Sequence, residues 1–154
     1  MTNSDLHHYA TFALRKIGET EVAEIFSIQW NPKMRSAAGR AKLTEWAIDI
    51  NPKLLPFGEK EVNTTILHEL AHLIAWKRNR HRGHGTPWRV ACSDLGIPNE
   101  SVTHTLPLPR RSQRKKFRYQ CDTCGSSFDR VRRLTRPSAC KDYLLKELHL
   151  QPKK

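Results

Sequence analysis

Apolar residues recur at three- and four-residue intervals in three stretches of this chain, and between the first and second they crowd into runs of strand-like spacing. Leu6, Tyr9, Ala10, Ala13, Leu14 and Ile17 form one helical stripe, with Ser4 placed to cap its start and Gly18 to end it. His7 and His8 precede any cleft-forming element and read as surface residues. Val22, Ile25, Phe26, Ile28 and Trp30 suggest a strand over residues 22–30, closed by Asn31-Pro32. A turn follows over 34–39. Residues 42–50 alternate as a further strand, and a short one between 35 and 40 completes a small mixed sheet.

The strongest period lies over residues 59–79. Val62, Ile66, Leu70, Leu73 and Ile74 make a core face, while Thr65, His68, His72 and Trp76 line an adjacent one. Glu59 and Glu61 at its start and Lys77 and Arg78 at its end complement the helix dipole. A last helix is expected from a Thr86 cap and Pro87 through Trp88, Val90, Ala91 and Leu95 to a stop at Gly96. Three prolines between residues 97 and 113 then break every period, so the chain divides into a first domain over 1–100, a linker over 101–114 and a tail over 115–154. Sheet and helices together make the fold class α+β.

A chain of 154 residues with 38% hydrophobic content supports one sizeable core and a small appendage that needs stapling. Its formal net charge of +12 favours a polyanion as partner. The excess is uneven, for residues 110–136 hold ten Arg or Lys against Asp122 and Asp129. Phe117, Tyr119 and Phe128 interleave with those charges and offer faces to unpaired bases, which points to DNA or another nucleic acid without sequence readout. The bland reading of the same run is a solubilising basic surface. The start lacks a signal-peptide pattern and no run reaches membrane-spanning length, so a reducing cytosol is expected, with nucleoid association in a bacterial host and no membrane partner. In such a compartment paired cysteines mean metal more often than disulfide.

The chemistry centres on His68-Glu69-Leu70-Ala71-His72, an HExxH pattern on the long helix. Two histidines four residues apart project from one face within about 6 Å, near enough to share one metal ion. Glu69 is offset toward the same cleft as a general base. A hydrolytic Zn²⁺ takes three protein ligands, and the chain offers His81, His84 and Glu100. His84 is favoured, because Gly83 and Gly85 let the backbone turn an imidazole back over the helix. His81 lies in a basic turn and reads as solvated, and Glu100 follows Pro98 in linker-like sequence. Cys92 reads as a buried thiol, and His104 as a linker residue outside the site.

HELAHLIAW, a basic loop and then HGTPWRVACSDLG resemble the SprT-like zinc metalloproteases, relatives of the Spartan proteases that clear proteins crosslinked to DNA. The segments IQWNPKMRSAAGRA and IDINPKLL are similar to that family's strand region, and YQCDTCGSSFDRVRR to its zinc ribbon. The resemblance implies a zincin-like domain with an HExxH helix, catalysis by Glu69, a catalytic zinc on His68, His72 and His84, and protein substrates held on DNA. It also implies a second, structural zinc on Cys121, Cys124 and Cys140. There the chain departs from the pattern, with Tyr143 where a fourth cysteine is expected and Asp142 or His149 left to complete the set. Two other classes stay open: a nucleic-acid-binding zinc-ribbon protein with a vestigial protease domain, and a zinc hydrolase of small amides.

Overall fold

Thr2, and not Ser4, caps the first helix. Its Oγ1 accepts the Asp5 amide at 3.2 Å while Asp5 Oδ2 accepts the Thr2 amide at 2.6 Å, so α1 (Asn3–Lys16) opens on a reciprocal capping box. The computed structural model describes residues 1–103, 106–108, 117–121, 124–135, 139–140 and 143–147, the last two segments by their backbone. Two compact units divide the chain, Met1–Arg110 and Arg111–Lys154.

In the first unit the expected strand over 22–30 is half helix. Residues Thr20–Ile25 form α2, and only Ser27–Trp30 are extended, as β1. Val22, Ile25 and Phe26 stand three and four residues apart, the spacing of a helical turn, although their β-branched and aromatic side chains are of the types that favour strands. Of the expected strand over 42–50 only Lys42 and Ala47–Ile50 are extended, and the short strand expected between 35 and 40 lies slightly later, at Gly39–Lys42. β2 (Gly39–Lys42) runs antiparallel to β3 (Ala47–Ile50), with Lys42 opposite Ala47 and Gly39 opposite Ile50. Trp46 makes the reversal at φ 50°, a left-handed conformation that costs a non-glycine residue about 1–2 kcal/mol and that alternation in the sequence does not signal.

β1 joins β3 in parallel, so the sheet order is β1-β3-β2 and, among the described residues, β2 has one strand neighbour. α3 (Glu59–Asn79) packs across β2 and β3, with Val62, Ile66, Leu70, Leu73 and Ile74 fully buried. They meet Leu6 and Leu14 of α1, Ile48 and Ile50 of β3, and Trp88 of α4 (Thr86–Asp94). Burial of each such side chain stabilises the fold by about 1.5–3 kcal/mol, which makes α3 the best anchored element and a rigid base for a site. α4 is capped by Gly85 rather than Thr86, with Pro87 in its first turn. Leu106 and Leu108 also pack on this core.

Asp49, 2% exposed on the central strand, accepts Gln29 Nε2 and Asn31 Nδ2 at 3.0 Å each and pairs with Lys42 Nζ at 3.0 Å. It thereby ties β3 to the strands on both sides. Glu19 plays a similar part at the far end of α3, meeting Lys77 Nζ at 3.0 Å and Arg78 Nε at 2.8 Å. No described helix is long and apolar enough to cross a membrane.

The second unit holds two antiparallel pairs, β4 (Phe117–Gln120) with β5 (Ser127–Arg130), and β6 (Ala139–Cys140) with β7 (Tyr143–Glu147). Tyr119 stacks on Phe128 at 5.6 Å between ring centroids, is itself buried, and accepts the Leu134 amide through its hydroxyl at 2.9 Å. The sequence-based expectation of three open stacking faces is therefore corrected: strand alternation turns Tyr119 and Phe128 onto each other.

Candidate metal centre

His68 and His72 occupy successive turns of α3, with ring centroids 5.3 Å apart. The chain reverses just beyond the helix. Arg80 takes the left-handed conformation and sends its amide to the Trp76 carbonyl, while the His81 amide reaches back to Ala75 at 3.3 Å. The returning loop is braced by His81, whose Nε2 accepts the Gly85 amide at 3.2 Å. A β-carbon at residue 85 would stand 2.9 Å from that ring, so glycine is required there for space. His81 is thus half-buried and structural, which corrects its reading as a solvated side chain.

The result is that His84 Nε2 lies 3.1 Å from His68 Nε2 and 3.1 Å from His72 Nε2. Among the described residues these three are the cluster of ligand-type side chains able to hold a metal ion. A tetrahedral ion with bonds of about 2.0–2.1 Å to nitrogen holds its ligand atoms about 3.3 Å apart, so the spacing and the three-imidazole donor set fit zinc with a position to spare. Trp88, fully buried, forms the floor. Its ring lies 4.9, 5.6 and 4.6 Å from those of His68, His72 and His84, and its indole N–H points to the His68 carbonyl at 3.4 Å.

Glu69 faces the same cleft, 8% exposed, against β2. Burial pushes its carboxyl up to about 7, opposed by the Ala41 backbone amide and the Arg40 charge. Burial and the neighbouring His68, His84 and His81 push His72 down to about 3, and burial with His68 and Arg89 lowers His84. These two rings are neutral at physiological pH, the form in which imidazole binds a metal. The cleft has a volume of about 490 Å³, and its walls include Gly39, Arg40, Thr65, Arg82, Val102 and Thr103.

Two contacts of the site went unread in the sequence, although Glu100 was weighed there as a third ligand. Glu100, taken there as linker, brings Oε1 to 3.2 Å from His68 Nδ1. Gly39 leaves the room that Glu69 fills. Neither has a local signal, since each contact joins segments about thirty residues apart in irregular or edge structure.

Of the three cysteines expected to hold a second zinc, Cys121 is buried beside Phe128 and Cys124 is exposed on the β4–β5 turn. In that turn the Gly125 amide donates to the Cys121 carbonyl and the Cys121 amide to Ser126. The side chain of Cys140, with Asp142, His149 and also His104, lies outside the described residues. Cys92 is buried on α4, and burial pushes its thiol up to about 12, which leaves it inert as a nucleophile.

Residues 5–106 match the SprT-like family. The protein SprT-like of Oceanobacillus iheyensis is 29% identical over 112 residues, covering 71% of this chain and 72% of its own. That of Geobacillus kaustophilus is 32% identical over 111 residues, 68% of this chain and 70% of its own. Among solved structures, the metallopeptidase zymogen of Pyrococcus abyssi abylysin is similar with a TM-score of 0.47 and 18% identity, over 58% of this chain and 77% of that one.

Proposed function

Because the chain belongs to the SprT-like family, we propose that it is a zincin-type, zinc-dependent endopeptidase acting on proteins held on DNA. The observation that carries the catalytic part is the meeting of three Nε2 atoms from two segments beside the buried carboxylate of Glu69. His68, His72 and His84 would hold the ion, which when bound polarises the scissile carbonyl and lowers the pKa of water. Glu69 then has two tasks. Its carboxylate takes a proton from the attacking water, and afterwards delivers it to the departing amine nitrogen. The Ala41 amide and Arg40 favour the charged form that the first task needs.

Substrate positioning follows from β2. Among the described residues this strand has one strand neighbour, and it borders the cleft, so an extended peptide can add along its outer side with the scissile bond near Glu69. An open groove of this kind suits a polypeptide better than a small amide. The DNA part of the reading is supported by charge, with ten Arg or Lys between residues 110 and 136. Cys121 and Cys124 remain candidates for a structural zinc in the same segment.

The direct test is zinc content together with cleavage of an unstructured protein, with and without single-stranded DNA. One zinc per first unit and cleavage abolished by Glu69→Gln with zinc retained are expected. A wild-type chain that binds zinc and nucleic acid but cuts nothing would favour the vestigial-protease alternative.

A further inference from the structure

We propose that Glu100 is the positioning residue that sets the tautomer and aim of His68 for metal binding. This inference rests on the metallopeptidase reading of the same site.

An imidazole has two ring nitrogens, and when one binds a metal the other must carry the proton and find an acceptor. In His68 the assignment is built into the fold. Nε2 faces His72 and His84, while Nδ1 faces Glu100 Oε1 at 3.2 Å. Among the described residues, His68 is the one of the three rings with a carboxylate on its second nitrogen.

The Glu100 backbone is held in place. The chain leaves α4 through an Ile97 amide bonded to Cys92 at 2.9 Å, and the Glu100 amide then bonds to Ile97 at 3.1 Å. This turn carries the carboxylate into the cleft wall, where Glu100 and His68 side chains keep only 21% and 15% of their exposure. A pair so screened differs from a solvated surface ion pair, whose contribution is close to nothing. On the other side the Trp88 indole N–H holds the His68 carbonyl. The ring is thus held by Glu100 of the segment that follows α4 and lies 4.9 Å from the Trp88 ring, although its own backbone belongs to α3.

A carboxylate accepting from Nδ1–H keeps the Nε2 lone pair directed at the metal and raises its basicity. The contact has a further consequence. The segment carrying Glu100 also supplies Val102 and Thr103 to the cleft, so one stretch both shapes the groove and aims a ligand.

The experiment measures zinc affinity of the full chain by competition with a chromogenic chelator, in wild type, Glu100→Gln and Glu100→Ala. Histidine ¹⁵N spectra of the zinc-loaded proteins are recorded alongside. Glu100→Ala is expected to weaken zinc binding about 10–100-fold and to lose a slowly exchanging His68 Nδ1–H signal. Glu100→Gln, whose amide oxygen still accepts but carries no charge, should weaken it less, by about 3–10-fold, and keep the signal. Zinc affinities within twofold of wild type in both variants, with that signal unchanged, would overturn the assignment while leaving the metallopeptidase reading in place. If Glu100→Ala fails to fold, Glu100→Gln decides alone, since a mere packing role predicts no loss from so close an isostere. A wild-type chain with no zinc affinity would remove both readings together.

Discussion

Gly39 and Glu69 stand so close that a β-carbon at residue 39 would lie 2.6 Å from Glu69 Cγ and 2.7 Å from its Oε1. Real β-carbons do not approach so near, so strand β2 and Glu69 coexist only because position 39 has no side chain. Thr65 Cγ2, at 2.9 Å from the same point, closes the other way out.

Gly39→Ala should therefore displace the carboxylate by a good fraction of an ångström. Misplacement on that scale costs about 100-fold in rate. Zinc content should be unchanged, since the atoms nearest the added carbon belong to Glu69 and Thr65 and not to the three histidines. Peptide-cleavage kinetics beside metal analysis checks this, and a variant with wild-type kcat would show that the Glu69 position is not critical.

The raised carboxyl of Glu69 has a sign that unfolding experiments can read. Its pKa is about 7 folded against 4.5 unfolded, so between those values the folded chain holds a proton that the unfolded chain releases. Stability of the metal-free protein should then be complete below about pH 4.5 and fall by about 2–3 kcal/mol as pH rises through 7. Glu69→Gln should abolish that fall. Urea unfolding with a chelator present, at intervals from pH 5 to 8, measures it, and parallel curves for the two proteins would contradict the prediction.

Asp49 has the opposite sign. Burial raises its pKa, but hydrogen bonds from Gln29, Asn31 and Lys42 outweigh it and leave the carboxyl below its ordinary 3.8. Its contribution to stability is present above pH 3.8 and is lost as pH falls through the lowered folded value. Asp49→Ala strands three donors around a buried position and should cost about 1–3 kcal/mol at pH 7, with less difference from wild type in acid. Thermal unfolding at both pH values tests this.

Arg114, Lys115 and Lys116 belong to the basic run assigned to DNA. Changing all three to alanine should weaken binding to mixed-sequence single-stranded DNA and flatten the slope of log K against log salt by about 2, at about 0.7 per phosphate contact. Fluorescence anisotropy from 50 to 200 mM salt is the measurement. An unchanged slope would place the nucleic-acid surface elsewhere.

Most of the candidate site was legible because it is local. His68 and His72 share a face of any helix that residues 59–79 form, and the five apolar positions read as its core face are all fully buried. His84 needed more, since glycines on both sides say that the chain can turn there but not how far. Only the folded chain supplies the left-handed Arg80 and the His81 brace that bring the ring to 3.1 Å.

The sheet was less legible than the helices. Residues 20–25 and 43–46 misled because β-branched and aromatic side chains outweighed a helical spacing in the first, and because Trp46 turns the chain without a turn residue in the second. The sequence by itself determined the residue types of the candidate site, the helix that bears two of its histidines and the basic balance of the chain, all properties of neighbours a few residues apart. Tertiary structure alone decided that Glu100 meets His68 and that Gly39 yields to Glu69. Such contacts depend on how separate segments fill one volume, and close packing imposes that on the whole core at once rather than on any single stretch.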